Sequence, residues 1–383
     1  MKVLAGEKIP IKMWLDEIES GAVDQLKNLA NLPFAFRHIA VMPDCHQGYG
    51  MPIGGVLATR GVVIPNAVGV DIGCGMCAVK TSATELPVDK LKEIMSLVRK
   101  SVPVGFSHHQ EKQDKSLLPA LVSQLICGRQ YESAQKQIGT LGGGNHFIEI
   151  QKGSDGHIWA MIHSGSRNLG KQVADYYNGK AVELNEKYHS IVPKEHELAF
   201  LPLDTKECSD YMDEMNYCVG FALANRKLMM SRIMDAFNSV VGASEVQFIN
   251  IAHNYARFEN HFGENVIIHR KGATSAREGE IGIIPGSQGT SSYIVIGKGN
   301  KDSFESCSHG AGRKMGRKQA ERTLVLEDEQ KRLNEKGIVH SIRSKSDLDE
   351  ASGAYKDIDI VMQNQKELVD ILVKLEPMGV IKG

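Results

Sequence analysis

The chain has 383 residues, with 45 Lys and Arg against 46 Asp and Glu, and therefore a formal net charge of -1. This balance excludes nucleic-acid recognition through a positive field over the whole molecule, so any such contact must come from a local basic face. The first residues are too polar for a signal peptide, no apolar run is long enough for a membrane span, and the seven cysteines are scattered. We therefore expect a soluble, cytoplasmic protein with reduced thiols.

The amino-terminal half is expected to alternate short elements with glycine-rich loops. Periodicity predicts, in chain order, two short helices within 12–30 that separate near Gly21, strands at 38–42, 58–64 and 76–80, and helices at 88–102 and 117–138. Two glycine-rich loops, 43–52 and 68–76, adjoin these strands. Such clustering of glycine indicates backbone that comes close to a ligand.

The carboxyl-terminal half is expected to contain more strands. The pattern predicts a loop at 140–146 that runs into a strand, a second strand at 157–163 that closes a hairpin, a long helix at 205–240, strands at 248–252, 266–269 and 293–296, a basic helix opened by 306–313, and a final amphipathic helix ending at 375. Because chemistry-bearing residues are spread from position 44 to position 382, we expect an α+β fold. It should be a single interwoven domain over 1–383, with mixed β-sheets flanked by helices.

Five residues form a candidate metal site. Asp71 and Cys74 lie three apart on a glycine-rich loop, and His146, His163 and His253 each lie where a predicted strand meets a loop. Mixed carboxylate, thiolate and imidazole ligands suit manganese, zinc, cobalt, nickel or iron. Five donors that include a thiolate able to bridge fit a two-metal site better than a closed structural zinc. The alternative is that each is a buried structural residue, as is common for an isolated Cys or His.

Two further segments are candidates for anion binding. Residues 308–313, followed by several Lys and Arg, predict a glycine-rich turn into a helix N-terminus, with Arg313 as a forked donor; the alternative is a solvated basic helix face. Residues 285–292 could line a nucleotide pocket or form an ordinary hairpin loop. The sterically free His309 is either a nucleophile or a ligand, and the sequence does not decide between these roles.

Taken together, these motifs resemble the RtcB family of RNA-splicing and RNA-repair ligases. The likeness runs over nearly the whole chain, from Pro43-Asp-Cys-His-Gln-Gly to the terminal Lys382-Gly383. It implies an enzyme that uses GTP and manganese to join an RNA 3′-phosphate or 2′,3′-cyclic phosphate end to a 5′-hydroxyl end. Histidine–GMP and RNA–guanylate intermediates are part of the implied reaction.

The resemblance also implies roles for the metal-site residues. Asp71, Cys74 and His146 would hold one manganese ion, and Cys74, His163 and His253 would hold the other, with Cys74 bridging.

The resemblance further implies a nucleophile and a guanylate site. His309 would attack the α-phosphorus of GTP, Asn145 and Arg313 would contact phosphate, and Asp44 would lie near the reacting ends. The guanylate contacts implied by the matching motifs are Asn145, Glu149, Pro285, Ser287, Ser292, His309, Gly310, Ala311, Gly312, Tyr355 and Lys382.

Some features depart from the family pattern or are left open by it. Cys45 and Cys77 are additional thiols near the proposed metals, and Gln288 stands where we expect Met. The helix at 205–240 carries no recognised motif and is assigned to shaping RNA access. A basic groove for RNA is expected from Arg167, Lys271, Arg277, Arg313, Lys314 and Arg317.

Rival functions and the choice of partners remain open from the sequence. A dinuclear metal phosphoesterase and a non-catalytic RNA-binding repair or translation factor are the rivals to the RNA ligase. We expect a monomer without membrane association. Neither the physiological RNA nor the need for an archease-type activating protein can be decided.

Overall fold

A computed structural model describes residues 1–383 and contains seventeen strands. The strands are β1 Lys2–Leu4, β2 Ile11–Met13, β3 Ala35–His46, β4 Ile53–Thr59, β5 Val62–Val63, β6 Gly75–Thr81, β7 Phe147–Gly153, β8 Ile158–Ser164, β9 Leu201–Pro202, β10 Glu245–Ala252, β11 Asn254–His261, β12 Glu264–Lys271, β13 Ala273–Ser275, β14 Ile281–Ile284, β15 Ser292–Gly297, β16 Ser306–Ser308 and β17 Val369–Lys382.

Eight α-helices pack around these strands. They are α1 Ser20–Ala30, α2 Val88–Ser101, α3 Ile126–Gln137, α4 Arg167–Lys187, α5 Lys206–Val241, α6 Arg317–Thr323, α7 Leu326–Glu335 and α8 Ile358–Asn364.

Two large sheets form the framework. The six-stranded sheet has the order β1-β2-β3-β4-β12-β11 and is antiparallel except between β2 and β3. The seven-stranded sheet has the order β10-β6-β8-β7-β17-β15-β14 and is antiparallel throughout. The chain passes from β10 of the second sheet directly into β11 of the first at His253. This single residue therefore lies at the junction of the two sheets.

Apolar strand faces and one long helix explain the core. In β3 and β8 nearly every residue is buried, as expected for strands covered on both faces. The 36-residue helix α5 places Met229, Ile233 and Phe237 in one hydrophobic cluster with α2, β7 and β8. Its amino-terminal cap is the Thr205 hydroxyl, which accepts a hydrogen bond from the Cys208 amide, and its carboxyl-terminal cap is Gly242 in a left-handed conformation.

The observed α+β architecture, with its interwoven sheets flanked by helices, confirms the fold class predicted from the sequence. The long helix, the β7–β8 hairpin and the strands that precede His253 are also present. Two helix boundaries were predicted wrongly at the amino-terminal side. Residues 11–13 form a strand rather than a helix, and the helix expected at 117–138 begins only at Ile126. Gly21 and Gly128 lie inside helices, because the packing of the surrounding apolar faces outweighs the low helix propensity of one glycine.

Two predictions in the carboxyl-terminal third were wrong. Residues 306–308 form a short strand that ends in a turn, and no helix begins until Arg317. The helix expected to reach residue 375 ends at Asn364, and β17 follows it. Alternating β-branched residues in this stretch fit a strand, and β17 pairs with both β7 and β15. Consequently, Lys382 lies next to Phe147 in the sheet.

Candidate active site

The five predicted metal ligands converge on Cys74. Its Sγ lies 3.6 Å from His146 Nε2 and 3.3 Å from His163 Nε2. Asp71 Oδ2 is 3.2 Å from His146 Nε2, and the Nε2 atoms of His163 and His253 are 3.4 Å apart. The donors form two groups that share Cys74, namely Asp71 with His146 and His163 with His253. We call these five residues the His/Cys cluster.

Backbone carbonyls fix the orientation of two of the histidine rings. His146 Nδ1–H donates to Leu141 O at 3.0 Å, and His163 Nδ1–H donates to Asn145 O at 3.0 Å. Each Nε2 therefore carries a lone pair that points into the cluster, which is the usual arrangement of metal-binding histidines. Burial lowers the pKa values of His163 and His253 well below normal, so both imidazoles are neutral.

The protonation of the cluster is consistent with a bound cation. Burial, followed by the charge of Asp71, raises the pKa of the Cys74 thiol well above normal, so a cation would have to stabilise the thiolate. Asp71 Oδ2 faces His146 Nε2 at 3.2 Å, so a cation between them would stabilise the carboxylate as well. Imidazole nitrogens, a carboxylate oxygen and a thiol sulfur that face one another across 3–4 Å fit a site for divalent metal.

Helix α5 contributes a residue that supports the cluster, a role that the sequence did not reveal. Arg226 is fully buried, and its Nη1 donates to Gly73 O at 3.0 Å and to Ser164 O at 2.8 Å. Its Nη2 donates to Ile251 O at 3.2 Å. One guanidinium thus holds the three segments that carry Cys74, His163 and His253. Arg226 of helix α5 is therefore a buried support for the cluster; the signal in the sequence was a polar Asn-Arg pair inside an otherwise apolar helix segment.

His309 is held by Asp44 beside the cluster. The His309 Nδ1–H donates to Asp44 Oδ2 at 2.6 Å, and the same oxygen accepts from the amides of His309 and Gly310 at 3.0 and 3.2 Å. Burial would raise the pKa of Asp44, but the charge and hydrogen bond of His309 outweigh it and lower that pKa below normal. With Nδ1 engaged, the free nitrogen of His309 is Nε2. The ring centroid lies 4.8 Å from that of His253.

The turn after His309 requires glycine at one position. Gly312 has a φ of 75°, and a Cβ there would lie 2.2 Å from Asp44 O. The backbone of 309–312 can therefore pass close to β3 and bring His309 to Asp44.

A cavity of about 730 Å³ opens beside His309, with walls contributed by both large sheets. His163 reaches this wall, whereas the other members of the His/Cys cluster do not. The predicted site residues on the wall are Asn145, Glu149, Pro285, Ser287, His309, Gly310, Ala311, Gly312, Arg313, Tyr355 and Lys382. Asp44 is fully buried, and Ser292 is off the wall, where its Oγ accepts a hydrogen bond from Gly286 N at 3.1 Å.

Glu149 is an unusual carboxyl group on the cavity wall. Its side chain is buried, and burial raises its pKa to about 8 although Gln151 Nε2 donates to its Oε1 at 2.6 Å. Lys382 lies on the neighbouring strand, with its Nζ 5.9 Å from the centre of the Phe147 ring. A carboxyl group, an ammonium group and an aromatic face are therefore close together at one end of the cavity.

Glu350 organises the basic residues of the cavity wall and was missed in the sequence. It is 2% exposed, and its carboxylate accepts from Arg313 Nη1 at 2.9 Å, from Arg317 Nε at 2.8 Å and from the Tyr355 hydroxyl. Arg313 also stacks over the Tyr355 ring, 5.1 Å from its centre. We call Arg313, Arg317, Glu350, Tyr355 and Lys382 the arginine–glutamate network. Nothing in the sequence pattern around residue 350 distinguished this glutamate from a solvated one.

The basic groove expected from sequence forms only in part. Arg313, Lys314 and Arg317 lie on the cavity wall, but the prediction for Lys271 was wrong. Lys271 is 7% exposed, and its Nζ donates to the carbonyl oxygens of Tyr49 and Asn66 at 2.5 and 2.9 Å. Arg277 is off the wall and pairs with Glu259 and Glu305.

The additional thiols and Gln288 do not join the His/Cys cluster. Cys45 and Cys77 are buried in two separate hydrophobic clusters. Gln288 lines the cavity, and its Nε2 donates to Glu350 O at 3.1 Å. No helix in the structure is both long and apolar enough to traverse a lipid bilayer.

Comparison with known proteins gives matches along the whole chain. A family model described as "tRNA-splicing ligase RtcB" matches residues 25–126 and 117–383. The chain is 38% identical to the "RNA-splicing ligase RtcB" of Escherichia coli (strain K12), with 100% of this chain and 99% of that protein covered. It is 32% identical to the "tRNA-splicing ligase RtcB" of Thermococcus kodakarensis, with 100% and 94% covered. A similar match, at 33% identity, is the "RNA-splicing ligase RtcB homolog 1" of Entamoeba dispar, with 94% and 82% covered.

Proposed function

The chain belongs to the RtcB family of RNA ligases, and on that premise we propose that it is a GTP- and manganese-dependent RNA ligase. It joins RNA 3′-phosphate or 2′,3′-cyclic phosphate ends to 5′-hydroxyl ends. The family match supports the ligase activity. The observation that carries the finer mechanism is the placement of His309, which stands between the His/Cys cluster and the cavity with only Nδ1 engaged.

The metal site is proposed to hold two Mn²⁺ ions. Asp71, Cys74 and His146 would bind one ion, and Cys74, His163 and His253 would bind the other, in agreement with the two donor groups. Bound there, the ions would supply Lewis acidity and neutralise phosphate charge. The buried imidazoles with fixed tautomers support this assignment, because they present lone pairs without any reorganisation.

In the first proposed step, His309 Nε2 attacks the α-phosphorus of GTP. A phosphorus–nitrogen bond forms, and pyrophosphate leaves. The Asp44 carboxylate keeps the proton on Nδ1 and stabilises the positive charge that the ring gains. Arg313 and Asn145 lie on the same wall and would contact the phosphates, while Glu149, Ser287, Tyr355 and Lys382 would bind the guanylate.

The two following steps transfer the guanylate and then release it. An oxygen of the RNA 3′-phosphate attacks the phosphorus on His309, and the phosphorus–nitrogen bond breaks to leave an RNA–guanylate diphosphate. The 5′-hydroxyl oxygen then attacks the 3′-phosphate phosphorus and expels GMP, with loss of the hydroxyl proton. A cyclic phosphate end must first be hydrolysed to the 3′-phosphate, for which the same site is proposed.

The proposal also covers the domain organisation, the oligomeric state and the cellular location. We propose that residues 1–383 act as one catalytic domain in a monomer, supported by two sheets that both line the cavity. A reducing, cytoplasmic location suits the seven unpaired cysteines, because Cys74 must remain a thiolate to bind metal.

Covalent labelling tests the proposal directly. The protein is incubated with Mn²⁺ and α-labelled GTP and then denatured. We expect an acid-labile, alkali-stable adduct that is lost in His309→Ala. The exposed His189→Ala is the matched control and should label normally.

Absence of label with every divalent metal would overturn the guanylylation mechanism. Release of phosphate from RNA ends without GTP would instead indicate a dinuclear phosphoesterase. RNA binding without either reaction would indicate a non-catalytic RNA-binding factor.

A further inference from the structure

The loop between β3 and β4 presents an exposed aromatic ring to the cavity. Tyr49 lies at the centre of this loop, residues 47–51, and its side chain is 73% exposed although it lines the same cavity as His309. No hydrogen bond from the Tyr49 hydroxyl holds the ring against the protein. An exposed ring of this kind at the mouth of a cavity can take up the flat face of a ligand.

The backbone of this loop is unusually well fixed. Gly48 N donates to Gln25 Oε1 at 3.1 Å, and Gln25 Nε2 donates to Gly48 O at 2.5 Å. Lys271 Nζ donates to Tyr49 O at 2.5 Å, and Gly50 N donates to Glu197 Oε2 at 3.1 Å. Side chains from three distant parts of the chain thus hold three consecutive residues.

One glycine makes this fixation possible. Gly50 has a φ of 63°, and a Cβ there would lie 2.5 Å from Glu197 O. The backbone of the loop is therefore held rigidly, and the Tyr49 ring is positioned before any ligand binds. Such preorganisation reduces the entropy lost on binding.

The charges around the loop favour a base over a phosphate. Glu19 lies on the cavity wall and accepts a hydrogen bond from Gln47 N, and Glu197 holds the other side of the loop. Glu19 repels phosphate, and Glu197 is partly balanced by the charge of Lys271, whereas the cationic Arg313 and Lys314, which line the same cavity, attract phosphate. A nucleotide that spans the cavity would therefore place its base on Tyr49 and its phosphate towards Arg313.

The position of the loop relative to His309 favours binding of the RNA strand that receives the guanylate, which is the strand with the 3′-phosphate. Ile53, which begins β4 and lines the cavity, and His309 both abut Gly272: a Cβ there would lie 2.3 Å from Ile53 Cγ2 and 3.0 Å from His309 Cε1. The proposed guanylate residues Glu149 and Lys382 belong to the other sheet. The wall next to His309 on the side of the six-stranded sheet is thus left for the end that receives the guanylate.

We propose that Tyr49 is a stacking platform for the terminal base of the RNA strand that carries the 3′-phosphate. Stacking on an aromatic ring tolerates any base, which suits an enzyme that joins ends of differing sequence. The inference rests on the proposed ligase function and specifies how that function engages its RNA.

The test uses the full-length protein with Mn²⁺, GTP and a 3′-phosphorylated RNA, without a 5′-hydroxyl strand. Formation of the RNA–guanylate is followed as a function of RNA concentration for wild type, Tyr49→Ala and Tyr49→Phe. We expect Tyr49→Ala to raise the RNA KM by about tenfold to a hundredfold. Tyr49→Phe should restore binding, because it keeps the ring. Tyr188→Ala, at a 59% exposed tyrosine near the end of α4, is the matched control.

An RNA whose terminal 3′ nucleotide lacks its base sharpens the test. With this RNA, wild type and Tyr49→Ala should bind equally, because the stacking partner of the ring is absent. An unchanged KM in Tyr49→Ala, or an equal loss with the abasic RNA, would overturn the proposal. An effect confined to later joining of the 5′-hydroxyl strand would also overturn it, because the ring would then serve the other strand.

Self-guanylylation is measured in parallel, since it needs no RNA. Wild type that fails to label His309 would contradict the proposed function itself. Wild type that labels and ligates, with Tyr49→Ala equally active on RNA, would contradict only the stacking platform.

Discussion

Two regions of the site, the His/Cys cluster behind the cavity wall and the arginine–glutamate network on it, balance charge in opposite ways. In the His/Cys cluster, imidazoles, a carboxylate and a thiol face one another; the buried Arg226 donates to backbone carbonyls, and Arg167 lies on the outer side of the His146 ring, with its Nη1 3.4 Å from Nδ1. In the arginine–glutamate network, Glu350 already pairs with Arg313 and Arg317. Between the donor atoms of the first region a ligand must supply positive charge, whereas in the second region the one buried carboxylate is already paired and positive charge is in excess.

The two regions therefore differ in what the activity requires of them: particular donor atoms in the cluster, and a particular orientation of side chains in the network. The cluster depends on the identity of each donor, because losing one changes how many cations can bind. The network depends on Glu350 holding two arginines and a tyrosine in position, so that its contribution is geometric. Substitutions in the cluster should therefore remove activity, whereas those in the network should weaken nucleotide binding.

The largest effect is expected at the shared thiol. Cys74→Ala should lose both metal ions and reduce ligation by more than about a thousandfold, because metal Lewis acidity contributes several kcal/mol to such reactions. His253→Ala should weaken mainly one ion, since His253 belongs to only one donor group. Metal content of the purified variants, measured by mass spectrometry, checks both expectations. Cys77→Ala, a buried thiol outside the cluster, is the matched control.

Equal metal loss in Cys74→Ala and His253→Ala would argue against a bridging thiolate. Full retention of two ions in Cys74→Ala would exclude Cys74 as a ligand of either one.

The next largest effect is expected at Asp44, which touches His309 at the boundary between the two regions. Asp44→Asn keeps the size of the side chain but removes the charge that holds the Nδ1 proton. We expect guanylylation to fall by about a hundredfold to ten-thousandfold while metal content is unchanged. Labelling rates with α-labelled GTP, together with metal analysis, test this. A loss of metal in Asp44→Asn would show instead that Asp44 supports the cluster.

The same contrast explains what could be predicted from the sequence. Asp71, Cys74 and the three cluster histidines were identifiable because few other combinations of residues suit a transition metal, and each of the histidines lies where a strand meets a loop. The structure brings all five together. The long helix and the hairpin were predictable for a similar reason, since their periodicity is strong and local.

The features that could not be predicted from the sequence depend on contacts between residues far apart in the chain. Glu350 meets Arg313 across 37 positions, and Arg226 reaches the carbonyl of Gly73 across 153. Neither pairing leaves a local pattern in the chain. The tail helix was predicted wrongly for a related reason, because only pairing with β7 and β15 decides that 369–382 is a strand.

A smaller effect is expected in the network. Glu350→Gln should raise the KM for GTP in self-guanylylation by about tenfold to a hundredfold, because Arg313 and Tyr355 lose a common charged acceptor. Metal content should not change. Asp349→Asn is the matched control, since this carboxylate lies 4.0 Å from Arg317 and is partly exposed. A lower KM in Glu350→Gln would show that Glu350 competes with the nucleotide instead of positioning its partners.

The smallest effect concerns the pH dependence of GTP binding through Glu149. Burial raises the pKa of this carboxyl to about 8, so it is largely protonated at neutral pH in the free enzyme. If the carboxylate accepts hydrogen bonds from guanine, the kcat/KM for GTP should rise by about eightfold between pH 7 and pH 8.5, following the fraction deprotonated. Glu149→Gln should abolish this rise.

Substitution of Gln151 tests whether the pH dependence of GTP binding comes from the Glu149 carboxyl group. Gln151 Nε2 donates to Glu149 Oε1, a bond that favours the charged carboxylate. Gln151→Leu removes that donor, so the pKa of Glu149 should move further up and the midpoint of the pH profile with it. A profile that stays in place in Gln151→Leu, or that survives in Glu149→Gln, would assign the titration to another group. In either case guanine recognition would not depend on the charge of Glu149, and this wall of the cavity would act, like Glu350, through geometry alone.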